Sequence, residues 1–327
     1  MEQLLLTIEE DNKVLLNELL NIKYPIIQGA MANIATASFA ACVSNSGGLG
    51  IIATGSMDAA QTREEIQKCK QLTDKPFGVN VMLMNPYASE IIDVIVEEGV
   101  HVVTTGAGNP GPYMAKLKEA GIKVLPVVPS VGLAKRMERA GADALIVEGG
   151  ESGGHVGEMT TMALVPQVVD AVNIPVIAAG GIGDGRGVMA ALSLGAIGVQ
   201  IGTCLLVANE CPIHENYKDA VIKAKDTDTV VTGRSVNTPV RILKNQMARE
   251  YLKLEGHFES REELEKLTLG ALRKAVQSGD VKTGSVMMGQ IAGMVKEKKP
   301  MQQILDEMMA STKQVYANLQ KVMEEMQ

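Results

Sequence analysis

One histidine lies in a glycine-rich loop, and its setting suggests proton-transfer chemistry. The loop reads Glu148-Gly-Gly-Glu-Ser-Gly-Gly-His155-Val-Gly157 and directly follows a short apolar run. An imidazole titrates near neutral pH, so His155 is suited to give or take a proton. The alternative is a structural histidine that hydrogen-bonds a loop carbonyl. His101 falls within a predicted strand and His214 and His257 fall in predicted helices, so His155 is the candidate catalytic residue.

Two further glycine-bearing segments have the composition of a phosphate site. They are Ala178-Ala-Gly-Gly-Ile-Gly-Asp-Gly185 and Gln200-Ile-Gly-Thr203, and each follows an apolar run. Glycine lets backbone N–H groups approach phosphate oxygens, and a helix N-terminus adds positive potential. Thr203 can add a hydroxyl donor. The alternative is that both segments are tight turns without a ligand.

A third glycine pattern is a weaker candidate. Gly106-x-Gly108-x-x-Gly111 matches the dinucleotide-binding fingerprint and follows a predicted strand. A dinucleotide site also needs an acidic residue at the end of the next strand, where it binds the ribose. That strand ends in Val127-Val-Pro129, without an acid. We therefore give the dinucleotide interpretation little weight.

Eight short apolar runs, separated by helical stretches, must position these loops. The runs are apolar on both faces, which is typical of buried parallel strands. They are Pro25–Gly29, Gly50–Ala53, Phe77–Met82, Val100–Thr105, Lys123–Val128, Ala144–Glu148, Val176–Ala179 and Gly198–Ile201. Eight such units predict an α/β fold, a (β/α)8 TIM barrel whose glycine-rich loops meet at one face. The alternative is a doubly wound open sheet, which the strand count disfavours.

The alternation of apolar runs with helical stretches stops after the eighth run. This change predicts that the rest of the chain lies outside the barrel. We expect the barrel over residues 1–208 and a smaller, helical second domain over 209–298, without strands and with a helix over Val240–Leu254. Residues 299–327 are predicted to form a C-terminal helix that packs on the barrel.

Charge and composition exclude several classes of function. The net charge is −7 and only 3% of residues are aromatic, so nucleic-acid binding is not expected. The four cysteines have no zinc-site spacing, and we predict no metal site. Met1–Asp11 lacks the features of a signal peptide, and no apolar stretch reaches the roughly 18 residues of a membrane span. We expect a reduced, cytoplasmic protein that does not bind membranes.

Several motifs together resemble a known superfamily. Tyr24-Pro-Ile-Ile-Gln-Gly-Ala-Met31, Gly47-Gly-Leu-Gly50, Lys75-Pro-Phe-Gly-Val-Asn80, Gly153-Gly-His155 and Ala179-Gly-Gly181 are similar to motifs of the nitronate monooxygenase superfamily, which are FMN-binding barrels with a smaller helical domain. Within it, four segments resemble the enoyl-acyl-carrier-protein reductase II (FabK) branch. They are Thr104-Thr-Gly-Ala-Gly-Asn-Pro110, Val127-Val-Pro-Ser130, Lys244-Asn-Gln246 and Gly284-Ser-Val-Met-Met-Gly-Gln-Ile-Ala-Gly293. Ala30 replaces a glycine that many relatives carry, a small change that still admits the flavin.

The resemblance implies an FMN enzyme in which NAD(P)H, as co-substrate, reduces the C2=C3 double bond of trans-2-enoyl thioesters in fatty acid biosynthesis. His155 would stabilise or protonate the enolate, and the segment Ser285–Gly293 would close over the substrate. The residues expected to contact FMN lie in the glycine-rich loops and at strand ends. They are Gly29, Ala30, Met31, Asn80, Met82, Glu148, Gly153, Gly154, Gly180, Gly181, Gly202 and Thr203.

The resemblance also implies an acyl carrier protein as partner, and the fold is compatible with a homodimer. Because acyl carrier protein is acidic, a basic patch is expected, with Arg241, Lys244 and Arg249 as candidates. One alternative function is a nitronate monooxygenase that uses FMN and O2. Another is a barrel that binds a phosphate-bearing ligand without redox chemistry.

Overall fold

The computed structural model describes residues 14–257 and 261–326. Met1–Asp11, where the sequence argues against a signal peptide, lies outside the described residues. In chain order the strands are β1 (Ile26–Gln28), β2 (Gly50–Ala53), β3 (Phe77–Met82), β4 (Val102–Gly106), β5 (Lys123–Val128), β6 (Leu145–Glu148), β7 (Gly154–His155), β8 (Val176–Ala179), β9 (Val199–Ile201), β10 (Thr229–Thr232) and β11 (Val240–Leu243).

Helices follow most of the strands. They are α1 (Leu16–Leu20), α2 (Ala37–Asn45), α3 (Ala59–Leu72), α4 (Ala88–Glu97), α5 (Gly111–Glu119), α6 (Val131–Arg139), α7 (Thr161–Val169), α8 (Gly185–Ser193), α9 (Glu215–Lys223), α10 (Gln246–Gly256), α11 (Arg261–Thr268), α12 (Ala271–Ser278) and α13 (Met301–Glu325). Short 3-10 helices cover Thr203–Val207 and Gln290–Met294. Within the described residues, no helix is long and apolar enough to cross a membrane.

Eight parallel strands form the barrel, which confirms the predicted fold. Their order is β1-β9-β8-β6-β5-β4-β3-β2, and a parallel bridge between Ile27 and Leu49 joins the first strand to the segment before β2. There the Gln28 amide donates to the Leu49 carbonyl at 2.9 Å, and the Leu49 amide donates to the Ile26 carbonyl at 2.9 Å. The sheet therefore closes on itself, and the open doubly wound alternative is wrong.

The barrel interior is filled by aliphatic side chains from alternate strand positions. Ile27, Ile51, Leu125, Ile146 and Ile177 belong to one fully buried cluster. Complete burial of each such side chain contributes about 1.5–3 kcal/mol to stability. Leu16 and Leu20 of α1 complete the same cluster, so this helix covers one end of the barrel and leaves the carboxyl ends of the strands for the site.

The second region, residues 209–298, is mostly helical, but the expectation that it contains no strands is wrong. β10 and β11 form an antiparallel hairpin, and β11 also pairs with β7. The predicted helix over Val240–Leu254 begins only at Gln246, because the Asn245 side chain accepts from the Ala248 amide at 2.9 Å and caps α10 there. Short apolar runs are ambiguous between strand and helix, and here the β-branched residues decide for strand.

The C-terminal helix α13 packs against the barrel along its first half. Met301, Leu305, Met308 and Thr312 are buried, whereas most residues from 313 onward are exposed. A Cβ at Gly185, the first residue of α8, would lie 2.2 Å from the Thr312 amide nitrogen. The two helices therefore touch backbone to backbone, and a larger residue at position 185 would separate them.

Candidate active site

His155 is held by a strand rather than by a pliable loop. We call residues 149–157 the histidine loop. Within it, β7 pairs with β11, with His155 opposite Val240 and Gly154 opposite Arg241. The Val156 amide adds a bond to the Pro239 carbonyl at 3.1 Å. The hairpin of the second region thus fixes the backbone on both sides of the candidate catalytic residue.

The His155 imidazole faces a cavity of about 230 Å³ in the second region. Its side chain is exposed toward that cavity, yet enough protein surrounds it for burial to lower the pKa of His155 below its ordinary value. The neutral imidazole therefore predominates at neutral pH, with one N–H donor and one acceptor nitrogen. Such a group can donate a hydrogen bond to a developing oxyanion or accept a proton.

Glu148, at the end of β6, shows the opposite perturbation. Burial raises the pKa of Glu148 to about 7, and the nearby Ser152 hydroxyl opposes this shift. The Ser152 Oγ is itself buried, with no hydrogen bond of ordinary length to any described residue. A half-protonated carboxyl beside an unpaired hydroxyl offers polar groups to a ligand that carries both donors and acceptors.

The histidine loop is fixed by two residues that the sequence did not single out as a pair. The Glu151 carboxylate accepts from the Thr161 amide, the first residue of α7, at 3.0 Å. The Thr161 hydroxyl lies 2.9 Å from the Gly180 carbonyl, so Glu151 and Thr161 link this loop to the turn after β8. Glu151 stands in the glycine-rich motif, but only the fold reveals its partner 10 residues later.

Arg241 is the third residue of this kind, and its guanidinium is engaged by the loop rather than free, so its part in a basic patch stays a prediction. Its Nε and Nη2 both donate to the Gly150 carbonyl, at 3.0 and 2.8 Å, and its Nη1 donates to the Thr229 hydroxyl at 3.2 Å. The guanidinium therefore braces the histidine loop from β11. Lys244 and Arg249 are exposed, as the patch requires.

The two predicted phosphate segments, which we call the glycine loops (residues 180–185 and 200–203), meet at the barrel mouth. Gly180 has φ +90°, and a Cβ there would lie 2.8 Å from the Gly149 carbonyl oxygen. The Asp184 side chain caps α8 by accepting from the Arg186 amide at 2.9 Å. Because that carboxylate occupies the N-terminus of α8, the donors left for a phosphate are the amides of Gly181 and Gly202, which bond no described residue, and the Thr203 hydroxyl.

The segment Ser285–Gly293 lies against both loop systems. The Gly289 amide donates to the Thr203 hydroxyl at 2.8 Å, and the Gln290 amide donates to the Glu151 carbonyl at 2.9 Å. A Cβ at Gly153 would lie 2.6 Å from the Met288 carbonyl carbon, so this glycine permits close backbone approach. The segment therefore contacts both loop systems, and its closure over a substrate stays a prediction.

The remaining predicted contacts lie at the carboxyl ends of the first and third strands. Gly29 donates to the Ile201 carbonyl at 2.7 Å, and Ala30 after it is exposed. The Met31 sulfur lies 3.7 Å from the point where a Cβ would stand on Gly202, so the β1 and β9 ends are adjacent. Asn80 is oriented by its Nδ2, which donates to the Thr104 hydroxyl at 2.9 Å, and Met82 is half-buried. Contact of these residues with a flavin stays a prediction.

The arrangement fits a phosphorylated heterocyclic ligand better than a metal. Free glycine amides lie at the glycine loops, while an orphaned buried hydroxyl and a perturbed carboxyl lie at the end of β6. Among residues 14–257 and 261–326, no group of three or more potential ligands could hold a metal ion. Gly108 of the discarded dinucleotide pattern has a packing role, since a Cβ there would lie 2.4 Å from the Leu83 Cβ.

Comparison with known proteins agrees with this geometry. The family model described as nitronate monooxygenase matches residues 13–94 and 86–311. FabK from Thermotoga maritima superposes with a TM-score of 0.91 at 48% identity, covering 94% of this chain and 98% of that one.

Two curated relatives are also similar. A probable nitronate monooxygenase from Staphylococcus aureus is 37% identical over 85% of this chain and 92% of its own. A Rhodococcus jostii enzyme, (3aS,4S,5R,7aS)-5-hydroxy-7a-methyl-1-oxo-octahydro-1H-indene-4-carboxyl-CoA dehydrogenase, is 40% identical over 71% of this chain and 66% of its own. The chain therefore belongs to the nitronate monooxygenase family and is a flavin-dependent oxidoreductase.

Proposed function

We propose that the protein is an FMN-dependent enoyl-acyl-carrier-protein reductase, in which NAD(P)H reduces the C2=C3 double bond of trans-2-enoyl thioesters. The observation that carries this proposal is the likeness to FabK, which extends over 94% of the chain at 48% identity. That coverage includes most of the second region as well as the barrel. The Rhodococcus relative adds that a family member acts on a CoA thioester.

The residues present fit FMN. Its phosphate would be held by the amides of Gly181 and Gly202 and by the Thr203 hydroxyl, because backbone donors and glycine allow close approach. Asn80 and Glu148 would contact the edge of the ring system. When bound, FMN supplies two-electron exchange between NAD(P)H and the substrate.

His155 would act on the substrate oxygen. Addition of hydride to C3 of an enoyl thioester leaves negative charge on the thioester oxygen and on C2. A neutral His155 imidazole can donate its N–H to that oxygen, and such preorganised donors are among the largest contributors to catalysis. Pairing of β7 with β11 fixes the backbone that carries the imidazole, which limits the reorganisation needed when the charge develops.

Recognition of the carrier protein would depend on charge outside the site. The chain is acidic overall, with a net charge of −7, and so is the expected partner. Favourable association therefore needs a local positive surface. The exposed Lys244, directly after β11, and the exposed Arg249, in α10, would supply part of it. A homodimer stays a prediction.

The proposal is tested by anaerobic consumption of NAD(P)H. The purified flavoprotein should oxidise more than one equivalent of NAD(P)H per flavin only when crotonyl thioester is present, and the product should be butyryl thioester. Failure of crotonyl thioester to support NAD(P)H oxidation would contradict the proposal.

A second candidate function is nitronate monooxygenase activity, favoured by the curated Staphylococcus relatives. It requires O2 and no NAD(P)H. Oxygen uptake with propane-2-nitronate, measured on the same preparation without NAD(P)H, separates the two functions, because the reductase proposal predicts that uptake stays at the background rate.

A further inference from the structure

The cavity beside His155 has a largely apolar wall, into which the hydroxyl residues Thr232, Thr238, Thr268 and Ser285 are also set. It lies within the second region, between the hairpin, helices α10 and α11, and the segment 284–293. His155 lines this cavity. The apolar residues that line it include Ile242, Met247, Tyr251, Leu264 and Met287.

These side chains form a core that does not close on itself. Ile242, Met247, Tyr251 and Leu264 are each at most 4% exposed and belong to one hydrophobic cluster. Protein interiors normally pack to the density of organic crystals, with few voids larger than a water molecule. The space of about 230 Å³ beside them is instead an open cavity, and the apolar part of its wall suits hydrocarbon better than water.

Charged residues also line the cavity, on a different element from His155. Arg261 and Glu265 of α11 are exposed, with Nε and Oε1 paired at 2.7 Å. The cavity therefore borders both the proposed site of chemistry and a charged, solvent-accessible edge on α11.

We infer that this cavity binds the hydrocarbon tail of an acyl thioester, the part beyond C3. This inference rests on the proposed function for the placement of C1 to C3 beside His155. The tail then has to leave the reacting atoms along an apolar surface, and burial of each methylene favours binding. The pantetheine arm, with its two amides, suits the largely apolar wall less well than a hydrocarbon chain does. Affinity should rise with chain length until the tail reaches the Arg261–Glu265 edge, and then level off.

Two substitutions that narrow the cavity test the inference. Val236→Phe and Leu272→Phe place added volume on two different elements of the wall, at half-buried positions that tolerate a larger ring better than the tight core does. Leu254→Phe is the matched control, since Leu254 is half-buried against the same cluster but does not line the cavity. Bound flavin and crotonyl turnover show whether each variant is folded.

The first readout is kcat/KM for crotonyl, octenoyl and dodecenoyl thioesters. We expect the unmodified protein to prefer the longer chains. Each narrowing variant should lose about tenfold or more on dodecenoyl thioester while crotonyl turnover changes by less than about twofold, because a few methylenes in an apolar pocket are worth that much discrimination. Leu254→Phe should keep the original preference. Equal losses on all three substrates, or an unchanged preference in both narrowing variants, would overturn the inference.

The second readout separates this inference from the proposed function. Binding of the saturated dodecanoyl and butyryl thioesters is followed by the change in flavin absorbance, without turnover. If no enoyl thioester is reduced but dodecanoyl thioester binds more tightly than butyryl thioester, and Val236→Phe removes the difference, the reductase proposal fails and the tail site stands. If chain length does not affect binding to the unmodified protein, the tail site is wrong whichever reaction is catalysed.

Discussion

The two loop systems at the barrel mouth are built in different ways. The glycine loops after β8 and β9 present backbone amides to the proposed site, and the first of them turns at Gly180 and Gly181, which both have positive φ. The histidine loop after β6 presents titratable side chains, and its shape depends on β11 and Arg241 of the second region. We therefore propose that binding and chemistry are separable in this protein, because the proposed binding relies on local backbone geometry whereas the proposed chemistry relies on a tertiary contact.

The largest expected effect comes from His155→Ala. Turnover of enoyl thioester should fall by about 10²–10⁴, the usual contribution of a positioned proton-transfer group. Flavin content should stay unchanged, because the glycine loops are untouched. The measurements are kcat with crotonyl thioester and the flavin-to-protein absorbance ratio. His257→Ala, an exposed histidine at the end of α10, is the control and should behave as the original protein. Loss of flavin in His155→Ala would make His155 structural and remove the distinction between the two loop systems.

Gly180→Ala should affect FMN binding more than turnover, the reverse of His155→Ala. The backbone at φ +90° is costly for an L-residue, by about 1–2 kcal/mol, and the added Cβ would crowd the Gly149 carbonyl. FMN affinity should therefore drop about tenfold or more, and kcat at saturating FMN should fall by a smaller factor, because Gly149 belongs to the histidine loop. Titration of apoprotein by flavin fluorescence gives the affinity. The control is Gly132→Ala, where the added methyl meets nothing within 4 Å. Unchanged FMN affinity in Gly180→Ala would show that the phosphate does not bind at this turn.

Arg241→Met should lower turnover more than FMN affinity because, among the described residues, Arg241 hydrogen-bonds the histidine loop and not the glycine loops. The substitution removes both bonds to the Gly150 carbonyl, and hydrogen bonds to charged groups contribute about 1.5–3 kcal/mol. We expect kcat to fall about tenfold with FMN affinity nearly unchanged, and Arg241→Lys to restore part of the rate. Lys244→Met, an exposed cation next to the same strand, is the matched control. A fall in FMN affinity larger than the fall in kcat would mean that Arg241 supports the whole mouth rather than the histidine loop.

The smallest expected effect concerns Glu148 and pH. Its folded-state pKa of about 7 lies above the ordinary value of 4.5, so burial of the neutral acid contributes stability at low pH that is lost as pH rises from 4.5 through 7. Flavin-free Glu148→Gln should therefore gain stability relative to the original protein above pH 7 and show little difference near pH 4. Thermal unfolding across this range measures the effect. A difference that does not change with pH would show that Glu148 is ionised throughout.

Much of the barrel, including the positions of the glycine loops, could be predicted from the sequence. Strands buried on both faces give continuous apolar runs, and Gly50–Ala53, Phe77–Met82, Lys123–Val128 and Val176–Ala179 have the predicted bounds. Their regular alternation with helices fixes the order in which loops reach the mouth. The positions of Gly180, Gly202 and His155 at that mouth follow from this regularity.

The contacts that fix the histidine could not be predicted, because their partners are far apart in the chain. Arg241 lies 91 residues from Gly150, and nothing in its neighbourhood distinguishes a loop brace from a surface cation. The strand Val240–Leu243 is four residues long, too short for its alternation to stand out from the helix that follows. Glu151 and Thr161 are likewise ordinary residues until the fold places α7 beside the turn after β8.

The role of His155 in enoyl thioester reduction is tested most directly by anaerobic stopped-flow absorbance of the flavoprotein. The protein is first reduced by NAD(P)H and then mixed with crotonyl thioester, in the original form and in His155→Ala. We predict fast flavin reoxidation without oxygen in the original protein, and a rate of reoxidation that is about 10²–10⁴ times lower in the variant. Absence of reoxidation in the original protein, or equal rates in the two proteins, would contradict this prediction.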